Sequence, residues 1–180
     1  MDPSNPTTPE LHELIEIFFD RQADLGAFEE IVAEELPTNY RRLLAHDEHM
    51  TETIEAYHGC PCELEVVDEK IDSQHYSRKI LLRNSTDQRV VQYGIVRLDL
   101  SVLEQSVQDE IRSKSRPLGR ILIENDVLRK VRLVATWEVV PGMDLNKHMT
   151  NGELQKCYGR TALIYCNGSP AIELLEIVVE

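Results

Sequence analysis

Apolar residues recur at helical spacing near the start of the chain: Leu11, Leu14, Ile15, Phe18 and Phe19 fall on one helix face. A second helical stretch is expected over 27–35, stopped by Pro37, whose ring cannot continue a helix. Asn39 is placed to open a third helix with Leu43 and Leu44 turned inward, and 51–57 reads as a fourth ending at Gly59 and Pro61. The pattern then changes to alternation. Residues 63–67 and 77–82 read as strands, Asn84-Ser85-Thr86-Asp87 is a turn cluster, and 90–98 resumes as a longer strand that completes a hairpin. A helical connection covers 103–111. Further strands are expected at 118–123, 131–140, 161–166 and 172–179, the last two joined by an Asn167-Gly168 hairpin turn.

Helices come first, then mostly hairpin-linked strands. That order predicts an α+β fold, an antiparallel sheet with helices packed on one side, and not a doubly wound parallel sheet. Pro3, Pro6 and Pro9 among Ser, Asn and Thr mark 1–9 as a flexible leader and leave 10–180 as a single domain.

The length of 180 residues is enough to bury a core without disulfide or metal support. A net charge of -13 excludes nucleic acid as the natural partner, because phosphate backbones need clustered Lys and Arg, and it disfavours an anionic membrane surface. An anionic ligand would need a local basic pocket working against the global field. The apolar runs are too short to span a bilayer, and the first residues lack the basic-then-apolar form of a secretory signal; a cytoplasmic protein is expected. Its four cysteines (Cys60, Cys62, Cys157 and Cys166) are then expected as reduced thiols. Cys60-Pro61-Cys62 has no second cysteine pair to complete a zinc site, and His46 and His49 read as exposed helix histidines, so no structural metal is expected.

Familiar enzyme signatures are absent: there is no phosphate-binding glycine loop, no G-x-S-x-G and no H-E-x-x-H. What remains is a set of arginines on or beside expected strands: Arg78, Arg83, Arg97, Arg120, Arg132 and Arg160. Such an arginine can grip a carboxylate through two parallel hydrogen bonds, although taken singly each is better read as facing solvent. Glu173 and Glu176, three apart in an apolar strand, must face opposite sides of the sheet, so one of them faces inward and needs a partner.

Four segments stand out, in order: Arg42-Leu43-Leu44 with Met50-Thr51; Tyr76-Ser77-Arg78-Lys79-Ile80-Leu81-Leu82; Pro117-Leu118-Gly119-Arg120-Ile121-Leu122; and Tyr158-Gly159-Arg160-Thr161 followed by Gly168-Ser169-Pro170 and Leu175-Glu176-Ile177. They resemble the chorismate lyase family, in its broad bacterial and archaeal branch related to the UTRA-like fold. Together they run over roughly residues 40–180. The resemblance implies an enclosed site under two flaps and a carbon–oxygen lyase that converts chorismate to 4-hydroxybenzoate and pyruvate without cofactor or metal. It implies that Arg78 and the Leu118 backbone N–H bind the ring carboxylate, with Gly119 letting the backbone approach. Glu176, or else Glu173, takes the ring hydroxyl, and Met50 lines the site. Arg160 either meets the departing pyruvyl carboxylate or serves only the turn before the last hairpin. An alternative within the same fold is a non-catalytic protein that binds a small aromatic acid, as effector domains of some transcription regulators do. The acidic stretch ahead of the strands does not look like a DNA-binding domain.

Overall fold

A computed structural model describes residues 9–149 and 155–179. Seven strands form one antiparallel sheet: β1 (Gly26–Ile31), β2 (Cys62–Ile71), β3 (Tyr76–Asn84), β4 (Val90–Leu98), β5 (Arg129–Pro141), β6 (Cys157–Cys166) and β7 (Ser169–Val178). Their order is β1-β5-β6-β7-β4-β3-β2. The helices are α1 (Leu11–Glu16), α2 (Gln22–Leu25), α3 (Thr38–Leu44), α4 (Met50–His58), α5 (Gln105–Arg112), α6 (Leu118–Glu124) and α7 (Met143–Met149). The α+β class and the antiparallel sheet expected from the order of elements are both present.

Local chemistry fixes the joints. Asn167 and Gly168 take φ of 52° and 86°, the left-handed pair that a tight two-residue hairpin between β6 and β7 requires. Gly59 closes α4 at φ 68°, a conformation that Gly adopts without steric penalty. The strands expected at 77–82 and 90–98 pair as β3 and β4, with Arg78 opposite Val96 and Leu82 opposite Gln92. β7 then docks on β4, placing Glu176 opposite Gly94.

Both faces of the sheet are apolar, and both are covered. One face packs Val96, Leu98, Ile164 and Leu174 against α5 and α6, and Ile80, Leu82 and Val178 against α3 and α4. Helices were expected on one side, and these four lie there. The opposite face carries Leu81, Tyr93, Ile95, Leu175 and Ile177, which α1, α2 and α7 bury through Leu14, Ile15, Leu25, Leu145 and Met149. A central strand with apolar residues on both faces needs this second cover.

Two expected elements are corrected. The stretch 27–35 is not helical: β1 pairs along the edge of β5, with Phe28 opposite Val139, and only a 3-10 turn follows at Ala33–Glu35. Strand pairing overrides the helix-favouring glutamates there. The strand expected at 118–123 is α6, because Leu118, Ile121 and Leu122 sit at i, i+3 and i+4 and are buried together. Within the expected leader, 1–8 lie outside the described residues, and Pro9 is buried.

Candidate functional site

Between the face of the sheet covered by α3 to α6 and the roof made by the start of α4 and the Pro117-Leu118-Gly119 turn lies a cavity. Its floor comes from successive side chains of the central strands: Arg78, Ile80 and Leu82 on β3, Gln92 and Val96 on β4, and Leu174 and Glu176 on β7. Gly94, between Gln92 and Val96, contributes no side chain. A Cβ there would lie 3.0 Å from Ile80 Cγ1, so the glycine makes room for the Ile80 side chain in the middle of the floor. Arg160 and Ile164 of β6 and Val131 of β5 extend the lining.

Arg78 is 1% exposed. Its Nη1 reaches only the Ile111 carbonyl at 3.5 Å, a long contact, and its Nε has no partner. Burial pulls its proton affinity below the ordinary arginine value, with Tyr76 and Glu69 opposing that effect. A guanidinium remains charged even so, so the cavity contains a buried cation whose Nε donor is unmet.

At the other end Glu176 is 6% exposed. Its Oε2 accepts from Arg160 Nε at 2.8 Å and its Oε1 from Gln92 Nε2 at 3.4 Å. Glu173 lies on the opposite face, bonded to Arg97, so Glu176 is the carboxylate that faces the cavity. Arg160 is fully buried. Besides Glu176, it donates through Nη1 to the His46 carbonyl at 2.8 Å and through Nη2 to the Glu48 carbonyl at 3.1 Å. Its donors therefore tie the loop ahead of α4 to the sheet, rather than the turn before the last hairpin.

Met50 and Leu118 line the roof. Leu118 is the first residue of α6, where backbone N–H groups have no intrahelical acceptor. Gly119 also lines the cavity, but a Cβ on it would meet His49 and Thr51 at 3.4 Å, so the glycine chiefly brings α6 close to the start of α4. The other arginines are engaged elsewhere. Arg83 pairs with Glu65, Arg97 with Glu173 and Glu13, and Arg132 stacks over Tyr165. Arg120 is on α6 rather than beside a strand, and it bonds Glu55.

Two lining residues were missed from the sequence. Gln92 has no motif around it, and only the β4–β7 register brings it beside Glu176. His49 was expected on an exposed helix face with His46. Instead it is 8% exposed and precedes α4, while His46 lies in the loop after α3 and bonds the Leu43 carbonyl. Arg129 Nε donates to His49 Nε2 at 2.8 Å, so the neutral ring carries its proton on Nδ1. Burial first, then Arg129 and Arg160, lower the His49 pKa to about 4.

The chemistry available is therefore a cation with an unmet donor at one end, acceptors at the other, and an apolar middle. All four cysteines are free, and burial pushes the thiols of Cys62 and Cys157 up to about 12, which makes them poor nucleophiles.

No family model matches the chain, and no curated protein does. Solved structures do. The effector domain of PhnF from Mycobacterium smegmatis superposes with a TM-score of 0.54 at 9% identity, over 73% of this chain and 88% of that one. A structure of PhnF from the same organism gives 0.53 at 9% identity over 72% of this chain, which spans only 63% of the length of that chain. At such identity the likeness is one of architecture: this chain has the α+β fold of the PhnF effector domain.

Proposed function

We propose that the chain binds a small organic acid in the cavity, its carboxylate held by Arg78 and its far end by Glu176. The observation that carries this reading is the state of Arg78: 1% exposed, with Nε unpartnered, beside an otherwise largely apolar hollow. A buried charge with an unmet donor is unfavourable, and a carboxylate meets it with paired, charge-assisted hydrogen bonds.

The finer reading is chorismate lyase activity. Support comes from convergence. Met50, Arg78, Leu118, Gly119, Arg160 and Glu176, singled out by their resemblance to that family and drawn from five elements, all line the same cavity. In the reaction the bond between the ring carbon and the ether oxygen breaks, the hydroxyl-bearing ring carbon gives up its hydrogen as a proton, the methylene carbon of the departing enolpyruvate takes up a proton to give pyruvate, and the ring becomes aromatic. The protein's share is to hold the diacid in reactive geometry and shield it from water. Such positioning supplies up to about 7–11 kcal/mol in favourable cases. Arg78 and the Leu118 N–H would fix the ring carboxylate, and Glu176 the hydroxyl. Arg160 would act through Glu176 and the loop before α4, since its donors are already occupied.

The second reading is a binder without turnover, favoured by the fold shared with the PhnF effector domain. Incubation with chorismate separates the two. Equal amounts of 4-hydroxybenzoate and pyruvate, identified by mass, support the lyase; saturable binding of 4-hydroxybenzoate without turnover supports the binder. Arg78→Met is expected to abolish both binding and turnover while leaving the folded protein at least as stable, because it removes a buried charge with an unmet donor. Unchanged binding in that variant would sink both readings.

A further inference from the structure

Gln92 is 3% exposed and lines the cavity. Its side-chain Nε2 donates to Glu176 Oε1 at 3.4 Å, and its Oε1 is buried with no partner. The orientation is not arbitrary. Turning the amide over would set its carbonyl against the Glu176 carboxylate, acceptor against acceptor. Glu176 thus holds Gln92 so that an unmet carbonyl oxygen is left at the cavity wall. Arg78 and Gln92 stand two register rows apart, opposite Val96 and Leu82 respectively, with Ile80 opposite Gly94 in the row between. The separation is about 13 Å along the strands at Cα, which the inward-reaching side chains shorten. One end of the cavity therefore offers an unmet donor and the other an unmet acceptor beside a carboxylate.

We infer that Gln92 is a specificity-determining residue: its side-chain carbonyl, beside the Glu176 carboxylate, selects acids that carry a hydrogen-bond donor, a hydroxyl or an amino group, at the end away from the carboxylate. This rests on the acid-binding reading of the cavity and narrows it to a ligand class. Compounds with only an acceptor or an apolar group at that end leave the buried carbonyl unmet, and are rejected on that ground more than on size.

The test is calorimetric binding of three small acids of similar shape: 4-hydroxybenzoate, 4-aminobenzoate and 4-fluorobenzoate. Wild-type protein is expected to bind the first two about ten-fold or more tighter than the third. In Gln92→Met the preference should shrink several-fold, with affinity for 4-fluorobenzoate kept or improved, a crossing that mere loss of packing would not produce. Equal affinities in the wild type overturn the inference, as does a preference that persists unchanged in Gln92→Met. Should that variant fail to fold, Gln92→Asn, which withdraws the carbonyl by one methylene, makes the same comparison. Arg78→Met separates the two levels. If it loses all three ligands while the Gln92 variants keep the wild-type preference, only this inference falls. If no acid binds the wild type, or Arg78→Met binds all three unchanged, the acid-binding reading falls with it.

Discussion

Burial and two arginines hold the His49 imidazole neutral, and the consequence for stability has a definite sign. The unfolded histidine takes up a proton near 6.5, whereas the folded one does so only near 4. Below 6.5 the unfolded state binds more protons, so the contribution present at neutral pH is lost as pH falls toward 4. The loss attributable to His49 is about 2 kcal/mol between pH 7.5 and 5. In His49→Asn, which keeps a residue suited to the start of a helix, the fall in urea-unfolding free energy over that interval should be smaller by about that amount. An unchanged pH slope would show that the ring takes up its proton as readily in the folded protein as in the unfolded one. Single residues were legible to very different degrees. Arg78 and Glu176 lay in segments that resemble the chorismate lyase family, but the choice between Glu173 and Glu176 needed the register. His49 was misread because i, i+3 spacing says nothing of Arg129, which approaches from a strand 80 residues away.

At the scale of elements, one guanidinium joins a loop to a sheet. Arg160 reaches from β6 to the carbonyls of His46 and Glu48 while paired with Glu176 on the neighbouring strand. Arg160→Met would leave Glu176 buried with Gln92 as its remaining described donor and release the loop that roofs the cavity. The expected outcome is destabilisation by about 3–5 kcal/mol, the range for breaking one side of a buried pair, with faster amide hydrogen exchange concentrated at residues 44–49. Exchange that rises uniformly across the chain would mean that Arg160 serves the sheet and not the roof. The hairpin elements were readable from sequence because turn chemistry and alternation coincide within a short window, as at Asn167-Gly168. β1 was not, since its partner β5 lies more than 100 residues away and its own Glu29-Glu30 favours helix; Ile31 pairs with Thr136. α6 shows a different failure: its apolar run fits either period until Pro117 is taken as the residue before a helix.

For the molecule as a whole, the site sits at the middle of the sheet, on β3, β4, β7 and β6, under helices that belong to the same core. Binding there is linked to global folding. Ligand at about 100 times its dissociation constant should stabilise the protein by about 2.7 kcal/mol, read as a rise in the thermal midpoint with 4-hydroxybenzoate that vanishes in Arg78→Met. No helix among the described residues is long and apolar enough to cross a membrane. Against an overall charge of -13, the cavity is lined by two buried arginines, the buried Glu176 and the exposed Glu48, so its wall is locally close to neutral and an anionic ligand meets far less repulsion there than the whole molecule would suggest.

The smallest residue of the floor leaves its place to a neighbour. A methyl group at 94 would press on Ile80 at 3.0 Å and come within 3.7 Å of Gln92 Nε2. The room that this glycine leaves is thus taken up by the Ile80 side chain, between the cation and the acceptors that give the hollow its polarity. Any larger residue at 94 would push on the apolar floor and on Gln92 together, so fit and selectivity would change as one.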